Sequence, residues 1–486
     1  MRNVTYLFFA LLFSFGLSAQ SGDNWTLERA VNYALTNNLQ VRQLDNVAEL
    51  SLLQAQSAKA SRLPTLSASS NVGAQLGRTI DPTTNTFNQQ TIGFQGYGIN
   101  AGINIYNGGQ IKMGIQQAEI NYAAAKLDSK VTSNNIGLQV ANSYLTIVLL
   151  EEQLKNAEAQ LALSNDQLAN TDALIKAGAL PAAQRFDLLA QQAASKRSVV
   201  ELENQVITGT LGLKILLELD YNAEFRVVTP ELNPSEGQLF ETYDLEEVFL
   251  TARTTQPTVA AAELRKESAA MGIELSKAAF RPTVSLFGSL STNYSTAAKD
   301  FLNPEGGEQP TFQFGTPVPV QLNGTDAFLS GLEAVGGVAP TFPTLGYLTQ
   351  LDRNFGQSIG ASVNIPIYNQ GRKKINVQTA KLQELNASLD VQRAQNNLRN
   401  DVQLALVNLR SAQQTYRAAE ASQEAAQAAY DNAQRRFRAG TANSFDLVTA
   451  TNQLEQARNE MTRSKYQLIF NRQVIRFYLG RGFSLE

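Results

Sequence analysis

The sequence contains no cysteine and no histidine. Without cysteine there are no disulfides, no thiolate metal sites and no lipid-modified N-terminal Cys. Without histidine the chain lacks the commonest general base and metal ligand, which excludes zinc hydrolases and Ser-His-Asp enzymes. Charge is also sparse: 17% of the 486 residues are charged, against about 25% in soluble domains. The net charge of -3 offers no basic footprint for nucleic acid. Beyond the first residues, no apolar run approaches the roughly 20 residues of a membrane helix.

The N-terminus reads as a secretory signal over residues 1–19. Arg2 precedes an apolar run, Leu7 to Leu17, and Leu17-Ser18-Ala19 offers a small residue before a cut between Ala19 and Gln20. An exported chain without a membrane helix is soluble, peripheral or a β-barrel.

The chain is written twice. Trp25-Thr26-Leu27-Glu28 returns as Tyr243-Asp244-Leu245-Glu246, and Leu63-Pro64-Thr65-Leu66-Ser67 as Arg281-Pro282-Thr283-Val284-Ser285. Ile105-Tyr106-Asn107-Gly108-Gly109 returns as Ile367-Tyr368-Asn369-Gln370-Gly371, and Asn134-Asn135 as Asn396-Asn397. Lys176-Ala177-Gly178-Ala179 returns as Arg438-Ala439-Gly440-Thr441, and Phe186-Asp187-Leu188 as Phe445-Asp446-Leu447. The first structural repeat thus covers 20–242 and the second 243–486. The stretch 295–354, rich in Pro, Gly, Asn and Thr, has no counterpart of similar length and reads as a long loop.

Each copy has the same grammar. A helix runs from about Thr26 to Arg62, and Pro64 ends it, because a residue before proline leaves the α region; Pro282 does the same in copy two. Alternating segments follow. A very long helix runs from Gln110 to Lys176, Gly178 breaks it, and Pro181 starts another helix that continues to about Leu217. Gly109–Gly178 and Gly371–Gly440 enclose equal intervals, about 100 Å of helix at 1.5 Å per residue. Leu138, Ala141, Leu145 and Leu149 form a stripe suited to close helix packing. The flanking helices are about half as long, so two in line match one long helix. Such lengths fit a tube wall of constant height and equally an antiparallel coiled coil.

The alternating segments separate the two. Thr65–Leu76, Tyr97–Ile105, the segment carrying Val284, Leu286 and Leu290, and Phe355–Ile367 each place apolar residues on one face. Ser, Asn, Thr or Gly fill the other face, and no charge interrupts the better segments. Period-2 alternation of this kind is the pattern of a transmembrane barrel, apolar to lipid and polar to a lumen. Tyr106 and Tyr368 sit at equivalent strand ends, where an aromatic girdle lies. Four strands cannot close, and open edges are not tolerated in lipid, so the barrel must be shared between chains. Three chains give twelve strands; two or four would also close.

Taken in order, the signal peptide, the twofold repeat, L-P-T-L, I-Y-N-G-G, and F-R-A-G-T followed by F-D-L resemble the TolC family of outer-membrane efflux proteins over about Trp25 to Gly480. The resemblance implies a mainly α protein with membrane β. It is a homotrimer with a shared 12-stranded β-barrel, continued by a long periplasmic α-helical barrel. It implies location in the outer membrane, with the tunnel in the periplasm. The function implied is passive export through the exit duct of a tripartite efflux or type I secretion system. The partners implied are outer-membrane lipid, a periplasmic adaptor, and an inner-membrane pump that is proton-driven or ABC-type; no cofactor, metal or catalytic residue is implied. The adaptor-contacting tips map to Ala177, Gly178, Ala179 and Leu180, and to Ala439, Gly440, Thr441 and Ala442. Asp187 and Asp446 match the family's inward acidic gate, with Arg185 as a neighbouring pairing group. The sequence departs from that pattern at Ala442, Phe437 and Thr449, so its gate bonds differ. Pro64, Gly109, Pro282 and Gly371 mark the strand–helix boundaries. Two other classes compete: a coiled-coil adaptor, which leaves the strands unexplained, and a carboxylate enzyme, for which no acidic pair has distinctive spacing.

Overall fold

The computed structural model describes residues 24–80, 87–88, 91–229, 240–308, 311–338 and 340–481. The expected signal peptide lies outside the described residues. The chain divides into two compact units. One comprises the described residues up to Ala55, Gln116–Gly272 and those from Thr379 onward; the other comprises Gln56–Ile115 and Ile273–Gln378.

The helices repeat in length. Copy one has α1 (Leu27–Asn37), α2 (Leu39–Ala60), α3 (Gln110–Lys176) and α4 (Gln184–Leu216). Copy two has α5 (Leu245–Thr255), α6 (Pro257–Ala278), α8 (Arg372–Arg438) and α9 (Ser444–Tyr478). Both long helices have 67 residues, about 100 Å each. The expected single helix from Thr26 to Arg62 is two, of 11 and 22 residues, and copy two breaks identically. Asn38 causes the first break: it is extended, and its side chain accepts from the Gln40 N–H at 2.9 Å, capping α2. Pro257 causes the second by forcing Gln256 into an extended conformation. Pro181 begins a tight turn rather than the helix itself. Gln184, Arg185 and Phe186 bond three residues back, and α4 starts at Gln184.

In the first unit, two of the core clusters lie at matched positions. Trp25, Val31, Ile136, Val140, Tyr144, Ile147, Leu213 and Leu217 form one. Val248, Val259, Leu398, Val402, Leu406, Leu409, Leu468 and Ile475 form the other. Ile136, Val140 and Tyr144 on α3 correspond to Leu398, Val402 and Leu406 on α8. Of the expected stripe on α3, Ala141 and Leu145 are buried, whereas Leu138 and Leu149 are only half-buried, so the buried face is shifted towards Ile136, Val140 and Tyr144. Strand β1 (Asn24–Trp25) pairs in parallel with β6 (Arg226–Val227), and the Tyr144 hydroxyl lies between the Trp25 and Val228 carbonyls at 2.9 and 2.6 Å.

The second unit holds a four-stranded antiparallel sheet. It is built from β2 (Thr65–Gln75), β5 (Ile92–Asn107), β7 (Thr283–Ser295) and β12 (Gly356–Asn364), in the order β12-β7-β5-β2. Strand β5 is longer than the expected Tyr97–Ile105. Strand β12 stops short of Ile367, because Pro366 has no N–H to donate. Short strands β3 (Thr79–Ile80) and β4 (Phe87–Asn88) pair beyond β2.

The stretch read as a long loop carries strands of its own. β8 (Thr311–Phe314) pairs with β11 (Leu332–Val335), and β9 (Val318–Leu322) with β10 (Thr325–Leu329). Bridges Lys299–Thr344, Glu305–Thr341 and Glu308–Val338 continue the same antiparallel ribbon towards the sheet. Asn323 and Gly324 turn its tip with φ of 50° and 80°, the Asn-Gly turn that suits a hairpin. A short helix, α7 (Tyr347–Arg353), then leads into β12.

Candidate functional site

Both long helices end in the same way. Gly178 and Gly440 have φ of 75° and 72°. The Gly178 N–H reaches the Ile175 carbonyl and the Ala179 N–H the Leu174 carbonyl; Gly440 and Thr441 do the same to Phe437 and Arg436. These are Schellman ends, in which a left-handed residue turns the chain back and satisfies the last carbonyls. Ala177, Ala179, Ala439 and Thr441 flank the glycines and are exposed, with Leu180 and Ala442 half-buried. Leu180 leans on the apolar cluster of Tyr430, Phe437, Leu447 and Leu454.

The candidate gate residues lie just beyond. Asp187, in the first turn of α4, accepts from the Ser444 hydroxyl at 2.7 Å, so the hairpin of copy one is tied to that of copy two. Asp446 occupies the first turn of α9, where its N–H is capped by Asn443 Oδ1 at 2.8 Å. A carboxylate in a first turn is favoured by the helix dipole. Arg185 pairs with neither aspartate; its Nε donates to Asp172 at 2.8 Å. Ser444, Asn443 and Asp172 were not singled out from the sequence. Asn443 was findable, because Asn three residues before Asp446 is an N-cap signature. Behind the tips, Ser164, Gln167 and Thr171 of α3 and Ser195 of α4 are buried. Ser164 and Ser195 share a hydrogen bond of 3.2 Å, and Gln434 donates to the Tyr430 hydroxyl at 3.0 Å. Burial also raises the Glu455 carboxyl above its ordinary range on α9.

The four boundary residues lie where strands meet helices. Pro64 and Pro282 precede β2 and β7, and Gly109 and Gly371 precede α3 and α8 with φ of 89° and 75°. Gly108 carries the tightest fit there. A Cβ on it would lie 2.7 Å from the Ala278 carbonyl oxygen, and its own carbonyl accepts from Arg281 Nη1 at 2.9 Å.

In the sheet unit, strand register decides which side chains share a face. Leu66 pairs with Ala101, Ala101 with Gly288 and Gly288 with Ile359; Ala68 pairs with Ile99, Ile99 with Leu290. All the apolar sets therefore fall on one side. Leu66 and Ile359 there are 75% and 92% exposed, which costs free energy in water but not in lipid. The alternate rows face the opposite side and carry Ser67, Asn71, Asn100, Ser285, Ser289, Ser358 and Ser362, with Phe94 and Phe287 among them. A register shift between Asn104 and Tyr106 puts Tyr106 opposite Val284 and returns it to the apolar side. Strands β2 and β12 have no further partner within the sheet.

Paired 67-residue helices with matched hairpin tips, in one chain with a charge-free two-faced sheet, define the subunit fold of an outer-membrane channel. The outer membrane efflux protein family model matches residues 30–217 and 339–481, and the chain belongs to that family. It is 20% identical over 453 residues to outer membrane efflux protein BepC of Brucella suis, covering 93% of this chain and 85% of that one. It is 26% identical to outer membrane protein TolC of Escherichia coli over 130 residues, 26% of each chain. Among solved structures it is similar to VceC from Vibrio cholerae (TM-score 0.71, 15% identity), covering 94% of this chain and 97% of that one. It is also similar to the open-state MtrE outer membrane channel of Neisseria gonorrhoeae (TM-score 0.67, 19% identity), covering 93% and 88%. The protein is an outer-membrane efflux channel.

Proposed function

We propose that three copies of this chain close their sheets edge to edge into one 12-stranded transmembrane barrel, continued by a periplasmic α-helical barrel. The observation that carries this reading is the sheet itself, with one apolar face, one polar face and unpartnered edge strands. Unsatisfied backbone edges are not tolerated in lipid, so β2 of one copy would pair with β12 of the next. The assembled duct is the passive exit route of a tripartite efflux or type I secretion system, catalysing no reaction. The helix-hairpin tips, Ala177–Leu180 and Ala439–Ala442, dock on a periplasmic adaptor; their small side chains allow close approach. Energy comes from an inner-membrane pump, proton-driven or ABC-type. Asp187 and Asp446 supply the acidic groups of the periplasmic aperture, where three copies would concentrate negative charge.

The test is the mass and shape of the protein extracted in mild detergent. A particle of three times the 53.0 kDa chain, less any cleaved signal, with a compact ring and a rod of about 100 Å, supports the duct. A monomer without a ring overturns it and brings the coiled-coil adaptor forward.

A further inference from the structure

On the polar face of the sheet, the largest side chains lie over glycines of the neighbouring strand. Phe94 of β5 faces Gly73 of β2, and a Cβ on Gly73 would lie 2.6 Å from Phe94 Cζ. Phe287 of β7 faces Gly360 of β12, and a Cβ on Gly360 would lie 2.5 Å from Phe287 Cζ and 3.0 Å from both ε carbons. The Asn71 side chain occupies in the same way the space of a Cβ on its partner Gly96. In all three pairs the glycine stands directly across the ladder from the large residue. None of the three glycines has a positive φ, so turn geometry does not demand glycine at any of them.

We infer that Gly73 and Gly360 are positioning residues that set the bore of the channel, by letting Phe94 and Phe287 lie flat against the barrel wall. The inference rests on the polar face lining the lumen. Carbon atoms pack at about 3.5–4.0 Å, so a methyl at either glycine expels the ring from its place. Side chains move between staggered wells rather than by small tilts, and the ring needs another resting place. Phe94 has none: its other neighbour in the row is Ser295, which is fully buried. Phe287 has one, because Gly102 flanks it on the β5 side. Gly73→Ala therefore suffices at Phe94, whereas Phe287 is driven into the lumen only when Gly102→Ala accompanies Gly360→Ala.

The absence of cysteine supplies the test, because a single introduced thiol has no background. Ser362→Cys places it on the polar face of β12, in the row with Ser285, beyond both rings for a reagent entering from the β5 start. Intact cells are treated with maleimide-polyethylene glycols of graded mass, which sets aside any closure at the helix tips. The largest polymer that reacts should fall in Gly73→Ala and in Gly102→Ala/Gly360→Ala. It should return when Phe94→Ala or Phe287→Ala, respectively, is added. The two sets are independent, so one misfolding variant leaves the other informative. An unchanged limit, or a fall that removing the ring does not reverse, overturns the inference and leaves the duct intact. A thiol at Ser362→Cys that is unreactive even to the smallest reagent, with Val363→Cys reactive instead, means the faces are reversed and removes both readings.

Discussion

Gln256 donates its side-chain amide to the Phe477 carbonyl at 3.1 Å. Asn38, at the equivalent helix break in copy one, donates to the Leu216 carbonyl at 3.0 Å. Each repeat thus uses the residue between its two short helices to hold the last turn of its returning helix. Gln256 also accepts from Asn134 at 3.2 Å, which joins the second copy to the long helix of the first.

Both amides are buried, so the carbonyls they serve have little water to turn to. Gln256→Leu and Asn38→Leu should each lower stability by about 1–3 kcal/mol, the cost of leaving a buried polar group unpaired. Chaotrope unfolding followed by far-ultraviolet circular dichroism reads this directly. An unchanged midpoint in both variants would mean that water replaces the amide and that the clamp contributes nothing.

Alkaline pH should loosen the helical unit. Burial, the largest cause, pushes the Tyr144, Tyr466 and Tyr478 hydroxyls up to about 12; it does the same at Tyr243, helped by its bond to Glu241. In the unfolded chain these groups ionise near about 10. Between those values the unfolded state has released protons that the folded state still holds, so folding weakens as pH rises. The stability is fully present below pH 10 and is lost as pH climbs towards 12. Thermal melting across this window should show a falling midpoint, with a shallower fall in Tyr478→Phe. A flat profile to pH 12 would remove the buried tyrosines from the account.

At the tips, the Asp187–Ser444 hydrogen bond joins the two hairpins, whereas the Arg185–Asp172 pair is partly exposed. Exposed pairs are worth little. Ser444→Ala and Asp187→Ala should therefore raise single-channel conductance in planar bilayers, while Arg185→Ala changes it little. Asp446→Ala should weaken cation block. Conductance and block unchanged in all three aspartate and serine variants would place the aperture elsewhere.

Much of this architecture was legible in the sequence, and what was missed has local causes. Long helices announce themselves through length and a terminal Gly, so α3 and its Gly178 end were readable to the residue. Strands were readable because alternation in a charge-free segment has few other meanings. The break at Asn38 was not, since one extended residue between two helical runs leaves the periodicity nearly intact. The core phase on α3 was only half legible: Ala141 and Leu145 are buried as expected, but Ala and Leu recur on several faces of that helix, and only packing selects the face with Val140 and Tyr144. Ser444 is far along the chain from its partner Asp187, and Asp172 is on another helix from its partner Arg185, so no short-range pattern marks them. The ribbon was hidden by its Pro and Gly content, although Asn323-Gly324 is a hairpin signal.

That ribbon should be dispensable for assembly. The family match covers 30–217 and 339–481, so most of the ribbon lies outside the matched residues. Its base is already closed, because the Leu345 N–H donates to the Ala298 carbonyl at 3.0 Å. A short Gly-Ser turn in place of 299–344 would leave β7, α7 and β12 in register. A two-stranded ribbon is marginal on its own in water, and this one exposes Phe312, Phe314 and Phe328. The deletion should preserve oligomer mass and helix content in detergent, and should raise conductance if the ribbon rests over the channel mouth. Loss of the oligomer would mean that the ribbon is part of the fold. An intact oligomer of unchanged conductance would confine the ribbon to the surface.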